Sequence, residues 1–286
     1  MHRAPHPLLQ LLAYAGLAVG AVIMLLPLAW MVSAAFKPLA EVIQVPPTWI
    51  PRTFTLQSFI EVFGQFPFAR YLLNSFIVAV CVVISVLLTS SMAGYALARF
   101  NFPGRDLLFI LILASLMVPF QTRMIPLYQL VTWVDWEILG IVRIRLQDTL
   151  LGVMFPWLVD AFGIFLLRQY IRSVPSDIID AARIDGASEF RIYWQIILPL
   201  CRPALAALGI FTLVLNWEEF LWPLIVTSGH AARTLPVGLQ SFAEQYAVNT
   251  HWQMAGATIA ILPLVIAFLL LQRQFIRGIA MTGLKG

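Results

Sequence analysis

Charge is what this sequence has least of. Of 286 residues, 18 are Lys or Arg and 14 are Asp or Glu, so 11% carry charge, against about 25% in an average soluble domain. With 60% hydrophobic residues and a mean hydropathy of +0.86, the chain cannot present a charged surface to water on all sides, and it reads as a polytopic membrane protein. Lysine is scarcer still: Lys37 precedes Pro38 and Lys285 precedes Gly286. A phosphate-binding P-loop needs Gly-Lys followed by Ser or Thr, so this chain cannot hold ATP in that way, and any nucleotide energy must come from another polypeptide. The four histidines, His2, His6, His230 and His251, make no zinc-type pair on one helix face, and no Gly-x-Ser-x-Gly turn occurs. No enzyme machinery is visible. The two cysteines, Cys81 and Cys201, lie far apart in or beside apolar runs and read as small buried hydrophobes, not as a disulfide or metal framework. A net charge of +4 with pI near 9.3 would suggest nucleic acid in a soluble protein. Here the basic residues sit in short segments between apolar runs, where they read as topology signals, so no nucleic-acid partner is expected.

What is abundant is uncharged sequence long enough to cross a bilayer, roughly 20 residues at 1.5 Å each. Six spans are expected, at about 8–36, 71–98, 107–122, 149–167, 204–226 and 255–271, forming a single transmembrane domain over 1–286. With the N-terminus inside, the inner segments hold Arg3, Arg99, Arg105, Arg168, Arg172, Arg183, Arg191, Arg202, Arg273, Arg277 and Lys285. The outer loops, near 37–70, 123–148 and 228–254, are poorer in basic residues for their length, so the positive-inside rule places both termini in the cytoplasm. Those loops are too short to build an ordinary soluble domain. No internal repeat is visible, which weighs against a secondary carrier built from inverted halves.

One inner loop, 168–203, is unlike its surroundings. It contains "DAARIDGASEFRIYWQIILPL" from Asp180 to Leu200, dense in Asp, Glu and Arg. Ser176 is an expected N-cap with Asp177 in the first turn, where negative charge complements the helix dipole. Gly186 suits the residue after a helix, where φ is positive. Ser188 can cap a second helix with Glu189 in its first turn, and Pro199 ends or bends it. From these signals alone, the loop is either an interfacial helix pair lying on the membrane or a docking element for a protein.

Asp180-Ala181-Ala182, three residues, Gly186, nine residues, then Ile196-Ile197-Leu198-Pro199 resembles the EAA loop of importer-type ABC permeases, with Asp in place of the first Glu. "AFGIFLLRQYIRSVPSDIIDAARIDGAS", "NWEEFLWPLIV", "TLPVGLQSF" and the tail "QRQFIRGIAMTGLKG" extend the resemblance, over nearly the whole chain, to maltose-type carbohydrate-uptake permeases. It departs from them at 131–152, which is longer, and at Glu218, where Asn is the family residue. The resemblance implies an all-α, type I ABC importer permease fold with a cytoplasmic coupling helix, in the inner membrane of a prokaryote. It implies two ATP-binding subunits that hold the ATP and Mg, a second permease that is a related different chain, and an extracytoplasmic solute-binding protein; no cofactor belongs to this chain. Asp180, Ala181, Ala182, Arg183, Asp185, Gly186, Ile196, Leu198 and Pro199 would couple to the ATPase. The tail from Arg277 to Gly286 would reach between the ATPases, and the outer segment "SFAEQYAVNTHWQ" would meet the binding protein.

Candidates for the substrate pathway are fewer. Asp160 lies in the fourth expected span, where a charged side chain facing lipid costs about 2.5–3.5 kcal/mol. It therefore faces protein or water, as a cavity acceptor for sugar hydroxyls or as the partner of a polar group on a neighbouring span. Asn216, Trp217, Glu218 and Glu219 combine rings with hydrogen-bonding groups suited to a sugar, though tryptophans also suit the lipid–water boundary. The alternative to an ATP-driven sugar importer is a secondary transporter or channel working without an ATPase.

Overall fold

A computed structural model describes residues 7–133, 136–138, 142–144, 146–245 and 249–283. Two compact units are distinguished, Met1–Phe68 with Leu239–Leu262, and Ala69–Gly238 with Pro263–Gly286.

The first unit opens with α1 (Pro7–Ala35), apolar all round and exposed along nearly its whole length. A helix of this kind needs lipid or another chain around it, since water would meet its apolar surface on every side. Then follow α2 (Leu39–Val42) and α3 (Gln57–Gln65). Lys37 is fully buried, donates to the Thr48 carbonyl and lies 4.5 Å above the Trp30 ring. Glu61 on α3 accepts from Gln57 Nε2 at 2.9 Å and from Trp252 Nε1, and Phe66 packs edge-on against Phe242 at 4.6 Å.

The second unit begins with the long span α4 (Phe68–Arg99), about 48 Å at 1.5 Å per residue and closed by Arg99 at its dipole-negative end. The span expected over 107–122 is instead two helices, α5 (Arg105–Leu116) and α6 (Phe120–Trp133), bent by 100°. Pro119 between them has no N–H to continue the ladder, and its ring crowds the carbonyl four residues back. A two-strand antiparallel ribbon follows, β1 (Trp136–Ile138) with β2 (Val142–Ile144), Glu137 opposite Arg143. Other parts of the lengthened 131–152 loop lie outside the described residues.

The fourth expected span is also broken. A helix α7 (Leu150–Met154) and a 3₁₀ turn (Phe155–Trp157) meet α8 (Ala161–Ser173) at a 47° bend. The inner loop contains α9 (Ser176–Ile184), α10 (Glu189–Ile192), a π-helical turn (Tyr193–Ile197) and α11 (Leu198–Leu200). It meets α12 (Arg202–Glu218) at a bend of 76°. The expected span at 204–226 therefore starts within α12 and ends in a separate helix, α13 (Leu221–Val226). Last come α14 (Leu235–Gln245) and α15 (Thr250–Gly283). Apart from the ribbon, the described residues are helical or irregular, in keeping with the all-α expectation.

Between helices in lipid there is little hydrophobic driving force, so close packing and hydrogen bonds hold them. Gly163 shows the first: a Cβ there would lie 2.4 Å from Ser90 Oγ, so α8 approaches α4 only because the side chain is missing. Arg168 shows the second. It is 6% exposed, donates from Nε to the Leu97 carbonyl at 3.3 Å and stacks 3.7 Å over Phe109, pinning α8 to α4 and α5.

Candidate functional site

The charged loop stands on an apolar foot. Ile179 and Ala182, three apart on α9, join Ile192, Tyr193 and Ile197 in a core that includes Leu167 and Ile171. The opposite face is open: Asp180, Ala181, Arg183 and Asp185 are exposed. The helix starts one residue earlier than expected, so Pro175 occupies the N-cap and Ser176 is the first helical residue. Its end matches the sequence reading. Gly186 has φ +78°, its N–H donates to the Arg183 carbonyl at 3.0 Å, and the Ala187 N–H donates to Ala182 at 2.9 Å. Those two bonds form a Schellman motif that satisfies the last carbonyls of α9. Ser188 Oγ accepts from the Arg191 N–H at 3.3 Å and caps α10.

Beyond α10 the Leu198 N–H reaches back to the Tyr193 carbonyl, an i to i+5 bond. Pro199 lacks an N–H for the carbonyl of Gln195 and would crowd it in a regular helix; the widened turn avoids that conflict. Ile196 and Leu198 are half-buried, and Pro199 is exposed. Arg183 ties the loop together, donating from Nε to Glu189 Oε1 at 2.7 Å and from Nη1 to Asp180 Oδ1 at 3.2 Å. Such exposed pairs stabilise little in water, about 0–1 kcal/mol, which leaves them free to serve a partner.

Sequence reasoning missed the apolar part of this surface. Ile184 is 86% exposed and Phe190 69%, with Trp194 edge-on to Phe190 at 6.0 Å. These large apolar side chains are held out from a loop whose other face is packed. The signal was present in the sequence as Ile and Phe flanking the glycine turn.

A cavity of about 390 Å³ lies among α4, α8 and α12, lined by Val86, Trp157, Val159, Asp160, Phe162, Thr212, Leu215, Asn216 and Glu219. Asp160 is the N-cap of α8: its carboxylate accepts from the N–H groups of Phe162 at 3.1 Å and Gly163 at 2.9 Å. The break in the span supplies these free donors, and the charge sits at the positive end of the helix dipole. Glu219 does the same at the next break, accepting from the Trp222 N–H at 3.1 Å. Asn216 donates to the Thr212 carbonyl at 2.9 Å, leaving its buried Oδ1 unpartnered, and Trp157 Nε1 is likewise buried without a partner. Of the five pathway candidates, Asp160, Asn216 and Glu219 come together here. Trp217 is 4% exposed and Glu218 is exposed; neither lines the cavity. Trp157, which does, was overlooked because "FPW" reads as part of a continuous span. The side chains of the tail from Arg277 to Gly286 lie outside the described residues, as do 246–248 of the expected binding-protein segment.

A family model described as binding-protein-dependent transport system inner membrane component matches residues 85–281. The arabinooligosaccharides transport system permease protein AraQ of Halalkalibacterium halodurans is 38% identical over 289 residues, covering 100% of both chains. The sn-glycerol-3-phosphate transport system permease protein UgpE of Yersinia pestis is 32% identical over 279 residues, 95% of this chain and 96% of its own. Among solved structures, a chain of a bacterial ABC transporter involved in the import of the acidic polysaccharide alginate has a TM-score of 0.77 at 22% identity, over 96% of this chain and 99% of that one. At that identity the likeness is one of fold.

Proposed function

This chain belongs to the binding-protein-dependent transport system inner membrane components, and from that premise we propose that it is the permease subunit of an ATP-driven sugar importer whose 168–203 loop is the drive joint. Two ATP-binding subunits, a second and different permease chain and a solute-binding protein complete the assembly. ATP and Mg belong to the ATP-binding subunits. Both termini lie in the cytoplasm, as the distribution of Arg and Lys favours.

The observation that carries this reading is the loop itself, with one face packed in the core and the other offering Asp180, Arg183, Ile184 and Phe190 on either side of the Gly186 turn. A membrane-surface helix would turn its apolar side chains toward lipid and its charges toward water. Here the apolar foot is already covered by protein, and a second mixed apolar and charged face remains for a partner. When the partner moves with ATP binding, the loop is displaced as a unit and the permease alternates between faces.

The cavity supports the sugar class. Its lining includes two carboxylates, an amide, an indole and no Lys, Arg or His, which suits hydroxyl groups better than an anion. Both helix starts that adjoin it are already occupied by their own carboxylates, so neither is open to a phosphate as a bare helix N-terminus would be. The relatives' names, arabinooligosaccharides and glycerol phosphate, bracket the choice, and the lining favours the neutral sugar.

The test is Gly186→Trp. A Cβ here meets no atom within 4 Å, so the change adds backbone strain of about 1–2 kcal/mol and an obstruction on the docking face. The variant should insert normally yet lose sugar uptake while the ATPase, if still bound, turns over without transport. Undiminished ATP-driven uptake, or uptake that needs no ATP, contradicts the reading.

A further inference from the structure

Ser91, Tyr95 and Arg99 stand four residues apart on α4 and so share one face of that helix. Each is tied to the loop. Ser91 Oγ and Tyr193 OH share a hydrogen bond of 2.7 Å; the Tyr95 hydroxyl donates to Glu189 Oε2 at 2.7 Å; Arg99 Nη2 donates to the Ile171 carbonyl at 2.6 Å and to that of Val174. The loop partners Glu189 and Tyr193 are also four apart, so two helical segments run side by side in antiparallel register. Apolar contacts alone would let such segments slide, whereas directed bonds set the register.

Of these three ties, only the middle one reaches α9. Glu189 divides its carboxylate: Oε1 accepts from Arg183 of α9, and Oε2 accepts from Tyr95 of α4. Tyr95 is 5% exposed and wedged between Phe100, edge-on at 5.5 Å, and Tyr193 at 5.6 Å, so its hydroxyl has little freedom to follow Glu189 unless α4 moves too. We propose that Tyr95 is a positioning residue of the transport cycle: through Glu189 it makes α4 follow the coupling helix, so that a displacement of α9 becomes a displacement of the long span. The inference rests on the coupling role proposed for the loop and adds the route by which the motion enters the membrane. Charge-assisted bonds of this kind are about twice as strong as neutral ones, which suits a link that must hold under load.

The experiment uses the complete importer in lipid, with nitroxide labels on Asp177 of α9 and Met92 of α4, both exposed, after replacing Cys81, the exposed cysteine, by Ser. Pulsed electron resonance then reads the label separation without nucleotide and with ATP–Mg trapped by vanadate. The parent should give the same separation in both states, because the two helices travel together. Tyr95→Phe, which removes one oxygen and keeps the ring, should let the separation shift or broaden when nucleotide is trapped, and the thermal midpoint of the complex should hold. Glu189→Ala should do the same, and the double variant should go no further than Glu189→Ala, since both remove one link. A parent separation that changes with nucleotide, a Tyr95→Phe protein that behaves as the parent, or two losses that add all overturn the proposal. If Tyr95→Phe does not assemble, Arg183→Ala breaks the same chain of bonds at its other end and is judged by the same outcomes. Failure of the underlying coupling role looks different: no ATP-binding subunit would stay with the chain through purification, and the present inference would fall with it.

Discussion

Glu41 closes the segment between α2 and α3 by accepting from Thr48 Oγ1 at 2.9 Å and from the N–H groups of Arg52 at 2.8 Å and Thr53 at 3.3 Å. The Arg52 N–H above all favours the ionised form and holds this carboxyl below the usual glutamate value, against the opposing effect of burial. A carboxyl whose native pKa lies below its unfolded one contributes its stability fully above the unfolded value, about 4.3, and loses it as pH falls through the native value. Protection of the Arg52 and Thr53 amides, relative to their intrinsic exchange rates at the same pH, should therefore be high near neutrality and fall below about pH 4. Glu41→Gln should show lower protection at neutral pH and little further change in protection on acidification; equal protection in parent and variant at pH 7 would contradict the assignment. None of this was legible in the sequence. Glu41 stands in "AEVIQ" with nothing to announce three donors arriving from residues 48–53. Gly186, in contrast, was legible down to its φ, because a Schellman motif is local and needs only a helix end, a glycine and one further residue.

At the scale of elements, the same division holds between local and distant causes. The Ser188 cap, the Gly186 turn and the six apolar runs depend on neighbours in sequence, and each was readable there. Hydropathy, however, averages over a window and passes across a break, so the bends at 117–119 and 158–160 stayed hidden within single expected spans. Pro119 and Pro156 were visible, yet a proline in a membrane helix only permits a break. What decides is whether the freed groups find partners. At the fourth span they do: Asp160 takes the Phe162 and Gly163 N–H groups, and Ser85 Oγ donates to the Leu158 carbonyl at 2.7 Å. Losing such a cap costs about 1 kcal/mol. Asp160→Ala should accordingly lower the thermal midpoint of the purified complex by about 2–4 °C, and Asp160→Asn, which can still cap, should restore most of it. An alanine variant as stable as the parent would mean that α8 does not depend on this carboxylate. The polar stripe Ser91, Tyr95 and Arg99 also stands in the sequence at helical spacing, but its partners lie 72 to 102 residues away, beyond what one sequence reveals.

Across the whole molecule, composition and the EAA pattern point to an ABC permease without any help from the structure, and the family match over residues 85–281 and the 38% identical relative agree with that reading. The helices match those of a solved ABC importer chain at a TM-score of 0.77. Less of the cavity was foreseen: three of five candidates line it and Trp157 replaces Trp217, because which side of a helix faces inward depends on breaks that hydropathy misses. The turn and cap of the 168–203 loop were more legible, because their signals are consecutive in the chain. Everything mechanical rests on that loop gripping another protein, which a photo-reactive benzoyl-phenylalanine in place of Phe190 tests directly. In cells expressing the complete importer, illumination should join this chain to an ATP-binding subunit. Adducts with lipid alone, or none in either the nucleotide-free or the ATP-bound state, would contradict the account.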